Sequence, residues 1–144
     1  MRPVVICVAF ALLLGACNDL RDFRGGWQGE RVGDTPALRV GVAPAAQARL
    51  TVTALDRHGL TGTLSVDDVV AGAPLVPLAG AEADVLAGLT FDGGPLRVYL
   101  SFVPTIDGGG DALAVIALYD DDRVEVRLLR GGSRPLYAIF DLRR

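Results

Sequence analysis

From Gly25 onward the chain keeps a period of two. Leu38, Val40 and Val42 alternate with Arg39 and Gly41, and Leu50, Val52 and Ala54 alternate with Thr51 and Thr53. Leu60, Leu64 and Val66 stand opposite Thr61, Thr63 and Ser65. Leu96, Val98, Leu100 and Phe102 alternate with Arg97, Tyr99 and Ser101, and Val124, Val126 and Leu128 with Arg123, Glu125 and Arg127. Side chains of an extended strand point alternately to opposite faces, so this pattern predicts half-buried antiparallel strands rather than helices. Residues 83–91, 112–119 and 134–142 are apolar on both faces over part of their length, which suits central or covered strands. Residues 80–88 are the one stretch that could turn helical.

Between these runs sit "DRHG" (56–59), "FDGGP" (91–95), "DGGGD" (107–111), "DDD" (120–122) and "GGS" (131–133). Asp and Gly there suit tight turns. Strands so punctuated predict an all-β antiparallel meander of about eight to ten strands. Closing such a sheet removes exposed edges, so a barrel is preferred, with a β-sandwich as the runner-up.

At 144 residues the chain has the length of one domain, and 51% apolar content suffices for a core without disulfides. The formal charge is −3, and all 14 basic residues are arginines, scattered along the chain. With no basic cluster there is no electrostatic footprint for nucleic acid. The scatter reads as a composition bias towards Arg, Ala, Gly and Val, not as a set of anion contacts.

The opening segment has a different logic. Arg2 precedes an apolar run, Pro3 to Leu14, of twelve residues. As a helix that run would span about 18 Å, short of a hydrocarbon core of about 30 Å. It has the length of a secretory signal's apolar region. Leu14-Gly15-Ala16-Cys17 resembles the lipobox of bacterial lipoprotein precursors: an aliphatic residue, two small ones, then cysteine. The resemblance implies that the Cys17 thiol receives a diacylglyceryl group, that a peptidase cuts before it, and that the freed amine is acylated. The other cysteine, Cys7, lies in the part removed, so Cys17 would be the mature chain's sole thiol, accounted for as an anchor. Two or three acyl chains would hold the protein on a membrane durably. Residues 1–16 are therefore expected to be a signal peptide, 17–24 a lipidated end and short tether, and 25–144 a single β domain. Asn18, where Asp would signal retention in the inner membrane, favours the outer membrane.

Gly25-Gly26-Trp27 is a G-x-W, similar to the first strand of lipocalins and avidin-like barrels, and residues 59–66, "GLTGTLSV", look like an early hairpin strand of the avidin-like kind. The resemblance implies a small barrel with the tryptophan plugging one end; the other lipocalin stretches and a biotin-binding set are not found. Barrels of this size either fill their interior or hold one small ligand. Candidate lining residues are Trp27, Arg97, Tyr99, Tyr119 and Tyr137, with Phe102 and Phe140 as further aromatics. In the filled case they are plain core.

Catalytic groups are sparse. His58 is the one histidine, set in a turn, and none of Ser65, Ser101 and Ser133 lies in a G-x-S-x-G elbow. Asp107, Asp111 and Asp120 to Asp122 could supply oxygen ligands to calcium, but they match no calcium loop and read as solvated turns. The expectation is a non-enzymatic, lipid-anchored protein of the bacterial cell envelope, without metal or cofactor. Its role would be binding, of a small apolar ligand or a protein partner. The alternative is a structural or assembly lipoprotein that docks through its outer β face.

Overall fold

The computed structural model describes residues 20–32, 41–78 and 94–144. The expected signal peptide, the lipobox with Cys17, Leu38 and Val40, and the 83–91 run lie outside the described residues. A short 3₁₀ turn, Leu20–Phe23, leads into β1 (Gly25–Val32). There follow β2 (Gln47–Leu55), β3 (Leu60–Val66), β4 (Val70–Pro74), β5 (Val76–Pro77), β6 (Arg97–Val103), β7 (Ala112–Tyr119), β8 (Arg123–Arg130) and β9 (Leu136–Arg143). The domain is all-β, and every paired neighbour is antiparallel. No helix among the described residues is long and apolar enough to cross a membrane.

The nine strands form one sheet in the order β4-β3-β2-β1-β9-β8-β7-β6-β5. First and last in that order are consecutive in the chain. Only Leu75 separates them, and its N–H donates to Gly62 O on β3, while Leu78 N–H donates to Leu100 O on β6. The chain thus steps from one edge of the sheet to the other, and Ile106 N–H to Val69 O adds a second tie across the same seam. The result is a nearly closed, lipocalin-like barrel whose edges are covered by their own connection.

The hairpin turns fall where Asp and Gly are dense. Asp56 accepts from the N–H groups of His58 and Gly59, at 2.7 and 3.0 Å, which closes the β2–β3 turn. Those same bonds hold the Asp56 carboxyl below its ordinary value. Asp68 and Asp122 take positive φ, 62° and 57°, in the β3–β4 and β7–β8 turns, a conformation that short polar side chains tolerate. Gly29 marks a close approach: a Cβ there would collide with the carbonyl oxygen of Asp141 on β9. Glycine lets β1 and β9 come together and complete the wall.

Two expectations are corrected. Val42 lies in the β1–β2 loop, not in a strand, and is buried there. On β6 the more apolar set, Val98, Leu100 and Phe102, faces outward. Tyr99, Ser101 and Val103 face the interior, paired with Ile116, Ala114 and Ala112 of β7. A two-residue period says that a strand's faces differ; the register against β7 decides which one is inside.

Candidate functional site

The barrel interior is closed at one end by large side chains. Trp27 is buried on β1 and its Nε1–H donates to Phe23 O at 2.9 Å. The two rings stack with centroids 5.7 Å apart, so the 3₁₀ turn lies across this end as a lid. Arg144 places its guanidinium 4.6 Å from the Trp27 ring centroid. Leu50, Leu60, Ile116, Leu118, Phe140 and Leu142 fill the space behind. Tyr99, also buried, sends its hydroxyl to Asp56 O at 2.5 Å and anchors the β2–β3 turn to β6. Burial pushes its hydroxyl pKa up. An open depression of about 340 Å³ lies on the outside of this end, between Gly26, Gln28, Arg49, Thr51 and Arg144.

At the opposite end small side chains join larger ones, among them Val66, Val103, Leu128 and Leu136. Ala46, Ala48, Ala112, Ala114 and Ala138 are all buried and belong to the core. Ser101, Ala114, Leu128 and Ala138 form one row of paired inward positions across β6, β7, β8 and β9. Ser101 is fully buried and its Oγ has no hydrogen-bond partner. One strand beyond Ala138, Arg31 of β1 pairs with the inward-facing Phe140. The Arg31 Nε is buried without a partner, and the guanidinium's recorded contact is one long bond, 3.4 Å, from Nη1 to Val42 O. Among the described residues no carboxylate pairs with it. The loop residues 41–46 fold over this end: Val42 is buried, and a side chain on Gly41 (φ +76°) would meet Pro135 O at 2.8 Å.

A polar clamp braces the rim of the same end. Arg130 on β8 grips Asp107 in the β6–β7 loop through two bonds, Nη1 to Oδ1 at 2.9 Å and Nη2 to Oδ2 at 2.6 Å. Thr105 Oγ1 and Gly109 N–H donate to the same carboxylate, at 2.8 and 2.9 Å, and Arg134 Nη1 donates to Asp107 O. The Arg130 bonds first, then the Gly109 N–H, hold the Asp107 carboxyl well below the usual carboxylate range. Asp107 is thereby committed to an arginine. Asp121 and Asp122 likewise lie beside Arg123, Arg143 and Arg144. Among the described residues no group of three His, Cys, Asp or Glu could hold a metal ion.

The residues singled out from sequence do not converge. Trp27 and Tyr99 are buried at the closed end, and Arg97 is exposed beside Tyr99 at the start of β6. Tyr119 and Tyr137 occupy outward positions on β7 and β9; Arg123 covers the Tyr119 ring at 3.7 Å from its centroid. Burial also pushes the Tyr119 hydroxyl pKa up. Phe102 is outward and 42% exposed, whereas Phe140 is inward and buried. His58 is exposed in its turn, accepting from Arg57 Nε at 2.9 Å, with no hydrogen bond to Ser65, Ser101 or Ser133. Sequence reading missed Arg31 and Ser101. The parity that makes Trp27 inward also makes Arg31 inward, so a charged residue on the core face of β1 was a visible signal. Ser101 had none, because its strand's more apolar face is the outer one.

No family model matches the chain, and no curated protein or solved structure matches it.

Proposed function

We propose that this is a lipid-anchored protein of the bacterial cell envelope that binds a small apolar ligand in its barrel, without catalysis. The anchor is supported by Leu14-Gly15-Ala16-Cys17 and the twelve-residue run before it. The single observation that carries the binding reading is Ser101. A fully buried hydroxyl without a partner costs free energy of about 1–3 kcal/mol, and Ser101 faces the barrel interior beside Ala114, where a bound ligand's oxygen would offset that cost. Ligand sites have this make-up, mostly apolar walls with few polar groups.

Two measurements test it. Cys17→Ser should leave the precursor uncleaved and unlabelled by palmitate; normal processing would remove the anchor from the reading. For binding, 1-octanol titrated into the full chain in phosphatidylcholine nanodiscs should raise its unfolding midpoint, as any ligand of the folded state must. An unchanged midpoint sinks the ligand reading.

A second reading, an assembly role through the outer face, is favoured by Val76 and Phe102. They are paired in register and 56% and 42% exposed. A photo-cross-linking residue at position 102 should then yield one discrete adduct in the envelope.

A further inference from the structure

Resting on the anchor reading, we propose that the open depression beside Trp27 takes the headgroup of an anionic phospholipid from the bilayer that carries Cys17. Only Asn18 and Asp19 stand between Cys17 and Leu20. Three extended residues reach at most about 11 Å, so a lipidated Cys17 keeps Leu20 within that distance of the acyl chains. Leu20 is partly buried against the core, Phe23 stacks on Trp27, and the turn that holds them also packs on β2. The Trp27 end is therefore the end held at the headgroup layer, which is roughly 5–7 Å deep on each side of the hydrocarbon.

The lining of the depression suits a phosphodiester. Gly26 and Gln28 of β1 pair with Thr51 and Arg49 of β2, and these four exposed residues border it together with Arg144. Its volume, about 340 Å³, is that of a small-ligand site. The lining offers two guanidinium groups, a hydroxyl and an amide, all of them donors, and guanidinium forks match phosphate oxygens. Among the described residues no carboxylate lines it to receive a headgroup's cation, which favours a headgroup of net negative charge. Asp67 and Asp122 stand 3.8 Å from Arg49 and Arg144, at the limit of an ion pair, and all four side chains are exposed. Such pairs hold weakly and leave both arginines open to a phosphate. Gly26 keeps the space clear: its φ is not positive, and a Cβ there would meet nothing within 4 Å. The backbone does not require glycine at that position, and a larger side chain would fill the depression.

The test uses the full chain, with palmitate labelling of Cys17 as the check on its anchor, in phosphatidylcholine nanodiscs of increasing phosphatidylglycerol content. The unfolding midpoint should rise with phosphatidylglycerol, since a ligand of the folded state stabilises it. Arg49→Gln and Arg144→Gln should each raise the phosphatidylglycerol fraction that gives half of this rise about fivefold, the worth of one arginine at an anionic surface. Gly26→Leu should abolish the rise by filling the depression. Arg57→Gln, in the exposed β2–β3 turn, should leave it unchanged. A midpoint indifferent to phosphatidylglycerol in the lipid-bearing chain would overturn the proposal and leave the anchor reading standing, whereas a Cys17 without lipid would overturn both. An equal loss in Arg57→Gln would overturn the site in favour of diffuse attraction. The same rise from inorganic phosphate in phosphatidylcholine discs would overturn the lipid assignment. Because the lipid titration of the wild-type chain needs no variant, a variant that fails to fold does not shield the proposal.

Discussion

The two ends of this barrel are built on opposite principles. At the Trp27 end, large side chains meet, their polar atoms are satisfied, and the Trp27 indole N–H finds Phe23 O. At the Arg31 end, alanines share the core with Val66, Val103, Leu128 and Leu136, and two buried polar atoms, Arg31 Nε and Ser101 Oγ, have no partner among the described residues. One end is closed by stacked aromatic rings and packed aliphatic side chains. The other carries the Asp107–Arg130 clamp at its rim.

The contrast can be broken by substitution. Trp27→Ala should have the largest effect, a loss of about 3–5 kcal/mol in denaturant unfolding, because it removes the stacked lid along with the core volume. A loss below about 1 kcal/mol would mean that the Trp27 end is not the packed one. Next comes Arg130→Gln, expected to cost about 2 kcal/mol through loss of charge-assisted bonds to Asp107.

That clamp has a pH signature. Folding lowers the Asp107 pKa, so its contribution is fully present above the ordinary value of 3.8 and is lost as the pH falls from there towards the folded-state value. Asp107→Asn should therefore be less stable than wild type at neutral pH and lose less stability on acidification. Parallel acid-unfolding curves would contradict the clamp.

Smaller effects sharpen the comparison of interiors. Ala138 is fully buried in the core, so Ala138→Val should cost about 1–3 kcal/mol by overpacking. A cost below about 0.5 kcal/mol in urea melts would show spare volume beside Ala138. Ser101→Ala has the opposite sign: without ligand it should stabilise the protein, by up to about 1–3 kcal/mol, since it deletes an unmet hydroxyl.

Much of the wall was legible in the sequence, and little of the site was. The runs at 60–66, 112–119 and 123–128 lie within β3, β7 and β8, and the turns at 56–59, 120–122 and 131–133 fall between strands. Alternation and turn chemistry are local properties, written within a few residues. Val70–Pro74 and Val76–Pro77 carry too short a pattern to announce two strands, and their pairing depends on partners far along the chain. The candidate lining failed to converge for a related reason. Tyr119 and Tyr137 were grouped with Trp27 by being aromatic, but aromatic character does not say which way a side chain points.

By itself, then, the sequence determined that the chain would be strands joined by Asp- and Gly-rich turns, with a G-x-W at the start of the first. Tertiary structure alone decided that Ser101 faces in and Phe102 out, and that the sheet closes where Leu75 carries the chain between its edges. It also decided that, among the described residues, no carboxylate pairs with Arg31. Each of these depends on what neighbouring strands place opposite a residue, and strand register and barrel curvature are properties of the assembled sheet.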